Sequence, residues 1–118
     1  MKRLLCVDDS PDMLDILVDL LESEFLIVGS LSSGSSTLDQ AAGLKPDIIL
    51  MDVDLGDMSG FLVAKQLRSS DCPAKIVLLS IHESIAFIEA GQESGAAGYV
   101  FKSQIDRDLV KTLHAVVH

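Results

Sequence analysis

Five short apolar runs punctuate the chain, at Leu4 to Val7, Phe25 to Val28, Ile48 to Met51, Ile76 to Leu79 and Gly98 to Phe101. None alternates strictly with polar residues, which fits strands buried on both faces, as in a parallel sheet, although periodicity alone does not separate them from buried helix. The intervening segments arbitrate. Met13, Leu17, Leu20 and Leu21 recur at helical spacing with Asp12, Asp15, Asp19 and Glu22 on the remaining positions, the pattern of an amphipathic helix. Leu62 and Leu67 with their neighbours, Ile85 to Ala90, and Leu109, Leu113 and Val116 predict three more, and Ser36 to Leu44 a weaker one. The polar stretch Ser32 to Thr37 reads as a βα loop rather than a linker, being short and lying where such a loop is due. Strand and helix thus alternate five times. Parallel strands need crossover connections, almost always right-handed, so the pattern predicts a doubly wound α/β domain with helices on both faces of a five-stranded sheet.

Composition narrows the function classes. A chain of 118 residues, 48% of them apolar, is the size of one domain with one core, expected to span residues 1–118. A net charge of −9, with one tyrosine and no tryptophan, argues against direct nucleic-acid binding, which needs clustered Lys and Arg. Cys6 and Cys72 lie far apart with neither metal spacing nor a secretory framework, so a reducing cytoplasm is expected. The apolar stretch after Met1-Lys2-Arg3 is too short for a signal peptide or a membrane span.

Open α/β sheets bind ligands at the carboxyl ends of their strands. Those ends carry Asp8 and Asp9 after the first run, Asp52 after the third, Ser80 after the fourth and Lys102 after the fifth. Each has an ordinary alternative, as a helix cap, a turn serine or a solvated lysine. Together they point to chemistry, because carboxylates crowded at one end of a sheet take up protons unless a cation neutralises them. Oxygen-only ligands, with water and a phosphate, suit Mg²⁺.

An acidic pair, then Asp, Ser and Lys in this order and spacing, resembles the response-regulator receiver family of bacterial two-component systems over essentially the whole chain. The likeness extends to Lys45-Pro46-Asp47, Met58-Ser59-Gly60 and Gly95-Ala96-Ala97-Gly98-Tyr99, and the Gly98 to Ser103 ending is most similar to the NarL/FixJ (LuxR-type) branch. That resemblance implies a flavodoxin-like sheet of strand order 2-1-3-4-5 with five helices. It implies phosphorylation of Asp52 by a histidine kinase or phosphotransfer protein, and a regulatory phosphoacceptor rather than an enzyme acting on other substrates. Asp9 and Asp52 would ligate Mg²⁺ directly, Asp8 through water, and the backbone carbonyl of Asp54 would complete the protein ligands. Ser80 and Lys102 would each take a phosphoryl oxygen. Ser80 and Tyr99 would form the switch, with Phe87, Ile88 and Tyr99 marking the face offered to an output domain or partner protein. Tyr99 as an ordinary half-buried aromatic fits equally well. The branch controls transcription, commonly through a C-terminal helix-turn-helix that these residues do not include, and the resemblance allows a phosphorylation-linked homodimer.

Several positions depart from the family or tune the site. Gly56 stands where the acceptor loop usually carries Pro, giving a looser backbone. Ser103 follows Lys102 where many members have Pro, which predicts a different loop geometry. Asp54 and His82 are the expected modulators of phosphoryl lifetime, with a solvated loop acid the alternative for Asp54. Two other readings remain open. Asp52-Val53-Asp54-Leu55 also resembles the nucleophile motif of haloacid dehalogenase-type phosphatases, although that family places its acidic motif last and needs more chain. A receiver-like interaction module that never takes phosphate is the other, although such modules usually lack one of the five key residues.

Overall fold

The computed structural model describes residues 1–117. Strands β1 (Arg3–Val7), β2 (Leu26–Leu31), β3 (Ile48–Asp52), β4 (Lys75–Ser80) and β5 (Gly98–Phe101) alternate with helices α1 (Pro11–Leu21), α2 (Gly34–Leu44), α3 (Gly60–Ser69), α4 (Ile85–Glu93) and α5 (Val110–Val116). All strand pairs are parallel, in the order β2-β1-β3-β4-β5.

Alternate residues of each strand feed two separate cores. Leu4 and Cys6 of β1, Ile48 and Leu50 of β3, and Val77 and Leu79 of β4 pack with Leu17 and Leu21 of α1 and Leu113 of α5. The residues between them, Leu5, Val7, Ile49, Met51, Ile76 and Leu78, pack with Ala41 of α2 and Val63, Ala64 and Leu67 of α3. Both faces of the central strands are therefore apolar, which is why they read as continuous runs. Each fully buried aliphatic side chain contributes roughly 1.5–3 kcal/mol.

Serine begins four of the helices. Ser10, Ser33, Ser59 and Ser84 accept the N–H of Met13, Ser36, Phe61 and Phe87, and Pro11 follows the first of these caps. Such a cap typically stabilises a helix by about 1 kcal/mol. α5 has no side-chain cap because its backbone continues from a 3₁₀ turn at Lys102–Gln104 and a wider helical turn at Ile105–Leu109. No cis peptide occurs among the described residues, and Lys102 enters helical backbone, a geometry that Ser103 permits.

The elements differ from the sequence pattern at three places. α2 starts at Gly34, inside the stretch read as a loop, because Ser33 caps it and Asp57 reaches its first N–H groups from a distant loop. β2 begins after Phe25 and runs on to Leu31; as an edge strand it needs no apolar run, while Phe25 is buried beside α1. Leu20 and Leu62, placed on apolar stripes by spacing, are exposed. α3 turns Val63, Ala64 and Leu67 inward instead, one residue out of phase with Leu62.

Candidate functional site

Adjacent strands bring the acidic residues together. β1 and β3 are neighbours at the centre of the sheet, so Asp8 and Asp9, just beyond β1, meet Asp52 at the end of β3. One oxygen from each of the three lies within 4.8 Å of the others. Asp8 and Asp52 are buried and Asp9 is exposed. Lys102 follows β5, two strands from β3, and only a long side chain covers that distance at about 4.8 Å per strand. Its Nζ donates to Asp52 Oδ2 at 3.0 Å and to Asp8 Oδ2 at 3.2 Å. Backbone N–H groups take the other oxygens: Ser10 donates to Asp8 Oδ1 at 2.9 Å and Asp54 to Asp52 Oδ1 at 3.1 Å.

The charges do not balance. Three carboxylates face one ammonium, an excess of two negative charges if all are ionised. Burial raises the Asp52 pKa above the ordinary 3.8; the Asp54 N–H and Lys102 oppose this, and the charge of Asp8 adds to it. Burial also works against the charge on Lys102, but its contacts with Asp52 and Asp8 outweigh that and hold its pKa above the ordinary lysine value. A hard divalent cation satisfies both the excess charge and the oxygen-only donor set. The residues present fit Mg²⁺.

At the rim, Ser80 ends β4 in a fully buried position, its Oγ accepting the His82 N–H at 2.8 Å. His82 gathers four groups. Besides this bond, its Nε2 lies 2.8 Å from Asp54 Oδ2, its ring stacks on Phe87 at 3.9 Å between centroids, and its carbonyl accepts the Tyr99 hydroxyl at 2.9 Å. Asp54 is an exposed loop acid, with its side chain 57% accessible, and it is paired with His82. Tyr99 is half-buried, and burial raises its phenol pKa. Phe87 and Ile88 are also partly covered, while the large apolar side chains of Ile81 and Ile85 nearby are 67% and 74% exposed.

Two glycines shape the loop after Asp52. Gly56 has φ +81°, a left-handed conformation proline cannot adopt, so the departure from the usual Pro comes with a different backbone and not merely a looser one. At Gly60 a Cβ would collide with the Asp52 carbonyl and lie 2.9 Å from Val53 Cα, so only glycine lets α3 start this close to the end of β3. Sequence reasoning missed Asp57, whose partners lie 22 and 23 residues away. The signal that could have pointed to it is the absence of an acid from the first turn of α2.

Residues 4–114 match the family of response regulator receiver domains. The chain is 33% identical to the DNA-binding response regulator MtrA of Mycolicibacterium smegmatis over 97% of its own length and 50% of that protein's. It is 29% identical to the nitrate/nitrite response regulator protein NarL of Escherichia coli, over 94% and 52%. The chain thus spans about half the length of these curated relatives. Among solved structures, a LuxR-family two-component response regulator from Aurantimonas superposes with a TM-score of 0.94 at 28% identity, covering 99% of this chain and 85% of that one. These likenesses favour the receiver reading over the phosphatase one.

Proposed function

The chain belongs to the response regulator receiver domain family, and from that premise we propose that Asp52 takes a phosphoryl group from a histidine kinase or phosphotransfer protein in a Mg²⁺-dependent reaction. One observation carries the reading: a buried Asp52 carboxylate held by a lysine from two strands away, with two further acids pressed against it. In the reaction a carboxylate oxygen of Asp52 attacks phosphorus, the bond from phosphorus to the donor's imidazole nitrogen breaks, and the electron pair leaves with that nitrogen. Lys102 keeps the buried carboxylate ionised for attack and then faces a phosphoryl oxygen, while the O–H of Ser80 donates to another. Asp9 and Asp52 would hold Mg²⁺ directly, with Asp8 through water and the Asp54 carbonyl. When bound, Mg²⁺ neutralises the acid cluster and the charge on the phosphoryl oxygens.

The response follows from Ser80. Drawn toward the phosphoryl group, its hydroxyl would give up the His82 N–H, and His82 is tied to Tyr99, Asp54 and Phe87 at once. The surface around Phe87 and Tyr99 would then change for an output domain or partner, with transcription the regulated process and a homodimer one form of the response. Asp54 and His82 act as a pair on the lifetime of the phosphorylated state. Residues 1–118 would form one receiver unit in the cytoplasm; no helix among the described residues is long and apolar enough to cross a membrane.

The test is incubation with a small acyl phosphate and Mg²⁺, followed by intact-mass measurement. Wild type should gain one phosphate and Asp52→Asn none. Undiminished uptake by the variant, or uptake without divalent metal, would overturn the assignment.

A further inference from the structure

Two consecutive residues of the loop after Asp52 are fastened to the start of α2. Asp57 Oδ1 accepts the Gly34 N–H at 2.9 Å and Oδ2 the Ser35 N–H at 3.0 Å. Met58 lies over Gly34, so close that a Cβ at that glycine would collide with its side chain and stand 2.9 Å from Val63 Cγ2. α2 has no acid in its own first turn, and its serine cap serves the Ser36 N–H. Asp57 therefore supplies the carboxylate that the unpaired N–H groups and positive end of the helix lack. Both of its oxygens are used, and the two bonds pull its pKa below the ordinary carboxylate value.

The same loop is also held at Leu55, buried in the core with Val63, Ala64 and Leu67 of α3, and at Asp54 Oδ2, 2.8 Å from His82 Nε2. Gly56 adopts φ +81°, Asp54 and Ser59 form an isolated bridge, and the Asp57 N–H bonds the Leu55 carbonyl at 2.9 Å. Between the fastening at Asp57–Met58 and the acceptor lies Asp54, whose N–H holds Asp52 Oδ1. Its carbonyl is the ligand assigned to the cation above. A carbonyl on a glycine-containing loop binds a cation well only if its backbone is already ordered, since ordering on binding subtracts from affinity.

We propose that Asp57 is a positioning residue: by fastening the acceptor loop to the start of α2 it holds the Asp54 carbonyl in place, so that the cation affinity of the acceptor site depends on a contact outside it. The inference rests on the metal reading under Proposed function. Coupling of this kind is reciprocal, so the cation should in turn steady the start of α2. Anything that binds or moves the first turn of α2 then changes how readily the site takes Mg²⁺ and, through it, phosphate.

The experiment is calorimetric Mg²⁺ titration of the full chain, with the emission of Tyr99, the chain's one tyrosine beside no tryptophan, as a second readout. Asp57→Ala should bind Mg²⁺ about tenfold more weakly, the consequence of re-ordering about one residue of backbone on binding. Gly34→Ala, which forces Met58 off from the other side, should weaken binding in the same direction. The double variant should lose less than the sum of the two, because both cut one tether. Amide exchange gives a readout that general destabilisation would not imitate. Mg²⁺ should slow exchange at Gly34 and Ser35 in wild type and leave it unchanged in Asp57→Ala. Wild-type Mg²⁺ affinity in Asp57→Ala overturns the inference and leaves the metal reading standing. No Mg²⁺ binding by wild type overturns the metal reading, and the inference with it.

Discussion

Replacing Lys102 with Met keeps most of the side-chain volume and removes the one ammonium that meets both buried acids. Its Nζ lies 3.0 Å from Asp52 and 3.2 Å from Asp8, whose side chains are 5% and 1% exposed. At an effective dielectric near 20 each contact is worth about 5 kcal/mol of gross Coulomb energy. Much of that only repays the desolvation of the ammonium, and removing one partner of a buried pair typically costs about 3–5 kcal/mol. The expected loss for Lys102→Met is about 3 kcal/mol at pH 7.5 in chelator, near the low end because a carboxylate left alone can take a proton. With an unfolding entropy of about 2.1 cal/mol/K per residue, this corresponds to a fall in Tm of about 12 °C. The pH dependence follows from the two shifts. Asp52 has a raised folded pKa, so above 3.8 the native state binds more protons than the unfolded chain and stability falls as pH rises through that folded value. Without Lys102 this window reaches higher, and the deficit of the variant should shrink as pH falls through it. Lys102 is also raised, so its contribution is complete below 10.5 and is lost as pH rises through its folded value. Added Mg²⁺ should restore more stability to the variant than to wild type. Thermal melts followed by circular dichroism across pH read all of this. A variant within a few degrees of wild type at pH 7.5 in chelator, or a deficit that grows toward acid, would refute the reasoning.

Other consequences are equally direct. Since Asp54 and His82 form one pair, Asp54→Asn and His82→Ala should lengthen the life of the phosphorylated protein by similar factors, nearer tenfold than the thousandfold of a tuned general base. Dephosphorylation at saturating Mg²⁺ measures this, and faster loss from either variant would show that repulsion from Asp54 governs hydrolysis. Gly60→Ala pushes a methyl into the Asp52 carbonyl and should destabilise the fold by about 1–3 kcal/mol while lowering phosphate uptake; a neutral melt would mean that α3 can withdraw from β3. Asp57 has a depressed pKa, so its contribution is present above 3.8 and disappears as pH falls through its folded value. The acid limb of stability against pH should therefore be shallower in Asp57→Asn, and an unchanged limb would show that the capping bonds are not what depresses this carboxyl.

The alternation of strand and helix was legible in the chain because both faces of the sheet are covered. Every residue of Ile48 to Met51 is buried, so the run is apolar whichever neighbour it meets. The candidate site was legible for a related reason: in parallel sheets polar residues gather where strands stop, and Asp8, Asp52, Ser80 and Lys102 all stand at such ends. The strand order came from family resemblance and not from periodicity, which is blind to which strands are neighbours. Local pattern also misplaced Leu20 and Leu62, since spacing defines an apolar stripe only to within a residue and packing chooses which side faces the sheet. Start points of elements failed where a distant group decides them, as at Gly34, where Asp57 arrives from 23 positions away. His82 illustrates the same limit, its four partners coming from the acceptor loop, β4, α4 and β5. Sequence alone determined which chemistry the strand ends could offer, because residue type and period are local. Only tertiary structure decided which groups share charge and hydrogen bonds, because crossovers bring together residues whose separation along the chain carries no record of it.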